Sequence, residues 1–312
     1  MSKSFNKIFR TIDEQITILR GKGLIIKNDV ETKNLLLREN YFFISGYRHL
    51  FMELGKKDKF LPGTTFEELY ATFVFDRKMR NIFFKNILVI ENNMKSIISY
   101  QLSKKYGFRE RDYLNPKNFI QNKLSERQVK DVLNKVHRQV RVNGPKHSAT
   151  THYMDNYGYI PLWILVKVLS FGIVSEFYGI LKSEDKEKIA AIYGLDGETL
   201  GRYLAILSNF RNVCAHEDIL YDHKTQRFVP DTKYHELLNI EKYEEVYKYG
   251  KNDLFGLVIM LKSLLMEKEF LEMIDEIKKE IDVLDLAIET IPLSSILIRI
   301  GFPKNWYDIR NL

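Results

Sequence analysis

The sequence predicts a mainly α protein built as a helical bundle, and three observations carry that expectation. Apolar residues recur at three-and-four spacing over long stretches, whereas the strict apolar–polar alternation of half-buried strands is scarce. Only 7 prolines and 16 glycines punctuate 312 residues, so long helices meet few breakers. Hydrophobic residues make up 45% of the chain, enough for a core that a disordered chain lacks. We divide the chain into an N-terminal helical region, 1–60, and a helical bundle, 61–312. The bundle carries a basic insertion at 115–155 and a C-terminal helical section at 235–312.

The first region opens on a helix, because Thr11, Asp13 and Glu14 precede Ile16, Ile18 and Leu19, and Gly21 and Gly23 stop it. A second helix is expected over 30–40. The run YFFISGYRHLF at 41–51 reads first as core, since aromatic rings dominate buried packing. Its other reading is a surface for stacked bases, interleaved with Arg48 and His49. A polar connector with Lys56, Lys57 and Lys59 ends in Pro62 and Gly63. Thr64 or Thr65 then caps a helix whose first turn holds Glu67 and Glu68, the charge a helix N-terminus prefers. Its apolar seam, from Leu69 through Phe83 and Ile90 to Leu102, outruns an ordinary globular helix, so a break or bend is expected before Tyr106. Arg77 and Arg80 share a face at i, i+3 and are candidate RNA contacts; Asp76 and Glu91 are the acids that would pair them instead.

A turn-rich break at 107–116 leads to a strongly basic helix within 118–151. Lys123, Arg127, Lys130, Lys135, Arg138 and Arg141 stand there against Glu126 and Asp131, above a narrow stripe of Val129, Val132, Leu133, Val136 and Val140. Clustered cations that release counterions dominate RNA affinity, so these are candidate RNA-binding residues; an exposed, salt-laced helix is the alternative. His147, His152 and Asp155 fall in an expected loop without zinc or iron spacing, and no metal is assigned. After Pro161 one amphipathic helix is expected to 181, with Leu162, Leu165, Leu169, Ile173 and Phe177 inward. A charged connector with a short helix over 186–193 follows, then 200–221, and after Pro230 a last helical section over 254–287.

The net charge of +7 and pI near 9.1 suit a polyanionic partner, nucleic acid or an acidic surface, although mild basicity is common among soluble proteins. The single cysteine, Cys214, can close no internal disulfide and make no cysteine zinc site, which suits a reducing cytoplasm. The amino terminus lacks a signal-peptide core, and the most apolar stretch, 159–174, is interrupted by Lys167 and too short to span a bilayer. A cytoplasmic protein without a membrane partner is expected. Neither a glycine-rich phosphate loop nor carboxylates at metal-binding spacing occur, which argues against a nucleotide transferase or hydrolase.

The chemistry concentrates in LGRYLAILSNFRNVCAHEDILY, 200–221. Its first half reads as a helix seated through an apolar stripe; its second half turns polar with Arg211, Asn212 and His216. Arg211 and His216 lie roughly 140° apart around the axis and about 7.5 Å along it, whereas Asn212 and His216 stand one above the other at i, i+4. Asn212 can thus support His216 while Arg211 flanks the groove. Two copies meeting across a two-fold axis would bring two such pairs to one phosphate, so a homodimer is expected.

Arg211-Asn212 followed by His216 at the end of a packed helix resembles the R-x4-6-H motif of the HEPN ribonucleases. RNVCAHEDILYD looks like its version in the abortive-infection (Abi) family of the D and F type. Arg141 and His147 share the bare spacing, but Gly144 and Pro145 between them break a helix. Further blocks resemble the same family: Ser4-Phe5, Gln15, Leu19, Gly23-Leu24 and Ile26; NYFFISGY at 40–47; FDRKMR at 75–80 with Glu91 at the acidic position; the Pro161 to Tyr178 block; and GFPKNW at 301–306. Lys167 stands where the family has glutamate, so that role is lost, inverted in sign or taken by Glu91 or Glu176.

The resemblance implies a HEPN-like helical bundle and a metal-independent endoribonuclease toxin of a phage-defence system that leaves a 2′,3′-cyclic phosphate. It also implies a small non-coding RNA as partner and restrainer, which we place on the basic insertion and the arginine pair. An imidazole suits proton transfer between the 2′-hydroxyl and the leaving 5′-oxygen, and a guanidinium fork suits the phosphorane. His216 is therefore the candidate general acid or base, Arg211 the phosphate clamp and Asn212 the orienting residue, with no cofactor. Two alternatives remain: Arg211 and His216 merely pair with acids such as Glu217 or Asp218, or the protein is an inactive holder of structured RNA, for which Lys167 argues.

Overall fold

The fold is laid out on one helix, Phe66–Tyr106. In this computed structural model residues 8–55, 58–122 and 125–312 are described; Ser4, Phe5, Lys56, Lys57 and Lys123 lie outside them. Thr65 opens the helix with a reciprocal cap, its hydroxyl accepting from the Glu68 N–H at 3.2 Å while the Glu68 carboxylate accepts from the Thr65 N–H at 2.9 Å. The expected break does not occur. Residues 66–106 hold neither glycine nor proline, so nothing interrupts the hydrogen-bond ladder, and the helix runs about 60 Å. Several neighbours share its length: Gly197–Ala215, Ser183–Ala190 and Glu267–Asp285 all pack on it.

Helices Ile12–Gly21 and Asp29–Glu39 cover its start. The Ile25 N–H donates to the Thr64 carbonyl and the Phe66 N–H to the Ile25 carbonyl, both at 2.9 Å, which joins this region to the long helix. The aromatic run behind them packs as core at Ile44, Tyr47 and Phe51, whereas Phe42 is exposed. Glu68 also reaches the other end of the chain, accepting from the Glu289 and Thr290 N–H groups at 2.8 and 2.6 Å.

The basic helix, Ser125–Asn143, lies on Phe171–Gly179 through Val129, Val132, Leu133 and Val136. His152 and Asp155 are not in a loop: Ser148–Tyr157 is a helix that Gly158 ends in the left-handed conformation, φ +74°. Among the described residues no three His, Cys, Asp or Glu side chains come together as metal ligands.

The stretch after Pro161, expected as one helix, and the last helical section are each divided. Leu162–Leu165 continues as a 3-10 turn over Val166–Val168, then Leu169 and Ser170 are extended (ψ 136° and 156°) before Phe171–Gly179 begins. The break is stable because Gln139 Oε1 on the basic helix accepts the Ser170 N–H at 2.9 Å, replacing the carbonyl a continuous helix would supply. Likewise Leu254–Leu264 and Glu267–Asp285 are separated by extended Leu265 and Met266. The first of these is buried on nearly every side and is capped by Asp253, which accepts from the Gly256 N–H at 2.9 Å. Gly301 (φ +85°) closes on that cap: a Cβ there would lie 2.2 Å from Asp253 Cγ, so only glycine fits. Phe302 then packs on Phe255 and Trp306 at 5.4 and 5.1 Å. Among the described residues the one strand pair is the hairpin Lys242–Tyr243 with Val246–Tyr247, and no helix is long and apolar enough to cross a membrane.

Candidate functional site

Arg211 and Asn212 sit on the expected helix, but it spans Gly197–Ala215 and stops short of 221, leaving His216 as its cap; at its start the Asp196 side chain accepts the Thr199 N–H at 2.8 Å. Leu200, Tyr203, Leu204, Leu207, Phe210, Val213 and Cys214 bury one face. Burial pushes the Cys214 thiol up to about 12, so it stays protonated and inert. Arg202, Asn209, Asn212 and His216 are exposed, on a stripe that helical spacing makes continuous.

The helix ends at Ala215 in a Schellman motif. Glu217 takes the left-handed conformation (φ +55°), the Asp218 N–H donates to the Val213 carbonyl at 3.1 Å, and the Glu217 N–H to the Cys214 carbonyl at 3.4 Å. His216 is the capping residue, and its N–H donates to the Asn212 carbonyl at 3.0 Å. The i, i+4 relation between Asn212 and His216 is thus realised in the backbone; their side chains are both exposed and share no hydrogen bond among the described residues.

The chain just past His216 is held by the long helix. Asp76 Oδ2 accepts the Leu220 N–H at 3.0 Å, Oδ1 the Tyr221 N–H at 2.7 Å, and the Tyr47 hydroxyl donates to Oδ2 at 2.6 Å. Burial and the neighbouring Asp76 carboxylate push the Tyr47 hydroxyl up, which keeps it a donor. Arg80 pairs with Asp76 and donates to the Asp218 carbonyl at 3.3 Å. At 3% exposure Arg80 is part of this clasp and does not face a groove, which corrects its assignment as a surface RNA contact. Arg77 does not join it: its guanidinium forks onto the Glu39 carboxylate (3.0 Å from Nη1 to Oε1) and lies 4.6 Å from the Phe73 ring centroid. The Glu39 hydrogen bonds, with Glu217 adding its charge, hold Arg77 above its ordinary pKa. The two arginines therefore do not share one phosphate site.

Arg211 leans from the motif helix toward the long one. Its Cζ lies 5.7 Å from the Phe84 ring centroid, and its Nε is 3.6 Å from Glu91 Oε2, an ion pair beyond hydrogen-bond length. The other Glu91 oxygen accepts from Lys95 Nζ at 2.7 Å, so one nearly buried carboxylate stands between two cations. Of the two acids considered in place of a glutamate at 167, Glu91 faces Arg211, whereas Glu176 pairs with Lys135 at 2.7 Å on the basic helix; Lys167 itself is exposed. Arg127 lies 4.0 Å from Asp131, and Lys130, Arg138 and Arg141 are exposed along the same helix.

One histidine escaped the sequence reading. His223 Nε2 is 2.6 Å from Asn209 Oδ1, and its ring meets Phe210 edge-on at 5.2 Å. Burial holds this imidazole below its ordinary pKa, partly countered by Asp218. No periodic signal could have found it, because it lies beyond the helix end and returns to the helix only through the turn that Asp76 fixes.

The arrangement offers a half-exposed guanidinium, an exposed imidazole at a rigid helix end and a second imidazole anchored two turns back. Residues 34–222 match the family model described as Abi-like protein, a span that ends at Asp222 and leaves the Gly301 to Trp306 block outside it. No curated protein and no solved structure matches the chain. The match takes in more than half of the sequence, including both the Asp76–Arg80 clasp and the Arg211–His216 segment, and the chain belongs to the Abi-like protein family.

Proposed function

We propose that this protein is a metal-independent endoribonuclease acting in abortive infection. Family membership supports the defence role. The observation that carries the chemistry is that the helix end bearing His216 is locked by a Schellman turn and a buried clasp while His216 itself and part of Arg211 reach solvent. Rigid placement of a proton carrier and a cation is what metal-free phosphodiester cleavage requires.

In this reading an imidazole removes the 2′-hydroxyl proton, the 2′-oxygen attacks phosphorus, and the bond to the 5′-oxygen breaks as that oxygen takes a proton. The products are a 2′,3′-cyclic phosphate and a 5′-hydroxyl. Arg211 donates to the non-bridging oxygens as charge builds on them. Because Arg211 and His216 diverge around the helix, two copies pairing along the stripe of Arg202, Asn209, Asn212 and His216 complete the site. The cationic face of Lys130, Arg138 and Arg141 is where a restraining RNA would lie.

The test is incubation of the purified protein with single-stranded RNA and a chelator, with mapping of the ends. Cleavage leaving cyclic phosphates, lost in His216→Ala at unchanged melting temperature, is expected. An inactive wild type that binds RNA in a salt-sensitive way would instead identify an RNA-holding protein.

A further inference from the structure

A set of aromatic side chains far from Arg211 forms a connected and open surface. The turn after the long helix and the end of Ser148–Tyr157 bring them together, helped by Gly107 and Gly158, both at positive φ. Ring centroids run from His152 to Tyr153 at 5.7 Å, Tyr153 to Tyr157 at 5.3 Å, Tyr157 to Tyr159 at 6.3 Å and Tyr159 to Phe108 at 5.6 Å. The planes cross at 83°, 36°, 55° and 51°, so the rings are tilted against one another and not stacked in parallel. Tyr157 is 58% exposed and Phe108 44%, and His152 is also exposed. The Arg109 guanidinium lies 5.4 Å from the Tyr159 centroid and 6.0 Å from that of Phe108.

Buried aromatic clusters are ordinary core, but this one is at the surface and carries a cation that makes no ion pair among the described residues. Asp155 is the one acid on Ser148–Tyr157. A 3-10 turn at Gly144–Lys146 connects that helix to the end of the basic helix.

We propose that this ladder is a binding site for single-stranded RNA, in which unpaired bases stack on Phe108, Tyr157 and Tyr159 and Arg109 covers the stack. Base–aromatic stacking is sequence-tolerant because every base has a π-face, and a neighbouring cation adds to it. Tyr106 lies fifteen residues beyond Glu91 on one helix, about 22 Å, so the ladder holds nucleotides that flank the scissile bond and not the bond itself. The inference rests on the RNA reading above and names how that RNA is held.

The test uses the full chain with His216→Ala, so that RNA survives, and a short oligouridine carrying 4-thiouridine. Photocrosslinks are expected at Phe108, Tyr157 or Tyr159. The pair Tyr157→Ala and Tyr159→Ala should weaken binding about tenfold or more, whereas Tyr157→Phe and Tyr159→Phe, which keep the rings, should leave it nearly unchanged. Crosslinks confined to other surfaces, unchanged affinity in the alanine pair, equal affinity for a duplex of the same length, or no binding at all would each overturn the proposal. Cleavage by the wild type is scored separately: ladder crosslinks on a protein that cuts nothing keep this inference and remove the ribonuclease, and cutting without ladder crosslinks does the reverse.

Discussion

Arg80 and Arg211 each stand against a carboxylate of the long helix, and they are used in opposite ways. Arg80 is 3% exposed, and Asp76, the Tyr47 hydroxyl and the Asp218 carbonyl all gather at its Nη1. Arg211 is 29% exposed, its acid is 3.6 Å away, and that acid is already bonded to Lys95. A guanidinium whose hydrogen bonds are met inside the protein holds the fold. One whose fork still reaches solvent keeps donors for a phosphate. The two are linked, because the closed pair fixes the chain just beyond the histidine that the open arginine is proposed to assist.

The largest effect should come from opening the closed pair. Asp76→Ala leaves Arg80 buried without its counter-ion and strips the Leu220 and Tyr221 N–H groups of their acceptor. Equilibrium denaturation is expected to show a loss of about 3–5 kcal/mol, and a loss under 1 kcal/mol would show that the clasp is not what fixes the helix end. At the open arginine the effect moves to activity: Arg211→Ala should lower cleavage by roughly 10²–10³-fold, with stability changed by about 1 kcal/mol or less since its ion pair is partly exposed. A variant that is equally active but unfolds early would assign Arg211 to the fold with Arg80.

Smaller effects sharpen the contrast. Arg77→Ala removes an ion pair at the surface and should cost roughly 0.5–1 kcal/mol while cleavage stays within a factor of two or so; a loss as deep as that of Arg211→Ala would restore it to the site. Glu217→Gly places glycine at the left-handed position of the Schellman turn. The relief of backbone strain exceeds glycine's entropic cost by about 0.5 kcal/mol, and a small rise in the melting temperature is expected. A fall would mean that the Glu217 side chain, near Arg77, outweighs the strain.

Much of the fold was legible because caps and periodicity are local. Thr11 opens the first helix as expected, and of Thr64 and Thr65 it is Thr65 that caps the long one, each with a glutamate three residues on; the motif helix, however, stops at Ala215. The two divided helices were not legible, since an apolar pattern continues through a two-residue extended joint when both flanks face the same core; Ser170 is held by a glutamine on another helix. The long helix runs without the break that a usual length suggests, because the absence of glycine and proline is the better cue. At the candidate site, spacing placed Arg211, Asn212 and His216 together at one helix end, but burial separated Arg80 from Arg77, and burial depends on what packs from elsewhere. His223 and the ring ladder lie beyond any periodic signal because turns bring them together.

The most direct measurement is RNA cleavage in the presence of a chelator by the wild type, Arg211→Ala and His216→Ala, with the folded state of each checked by thermal unfolding. The account predicts cyclic-phosphate ends from the wild type, none from His216→Ala and a yield lowered roughly 10²–10³-fold in Arg211→Ala, with all three folded and melting within a few degrees of one another. Undiminished cleavage at the same sites by both variants would contradict it.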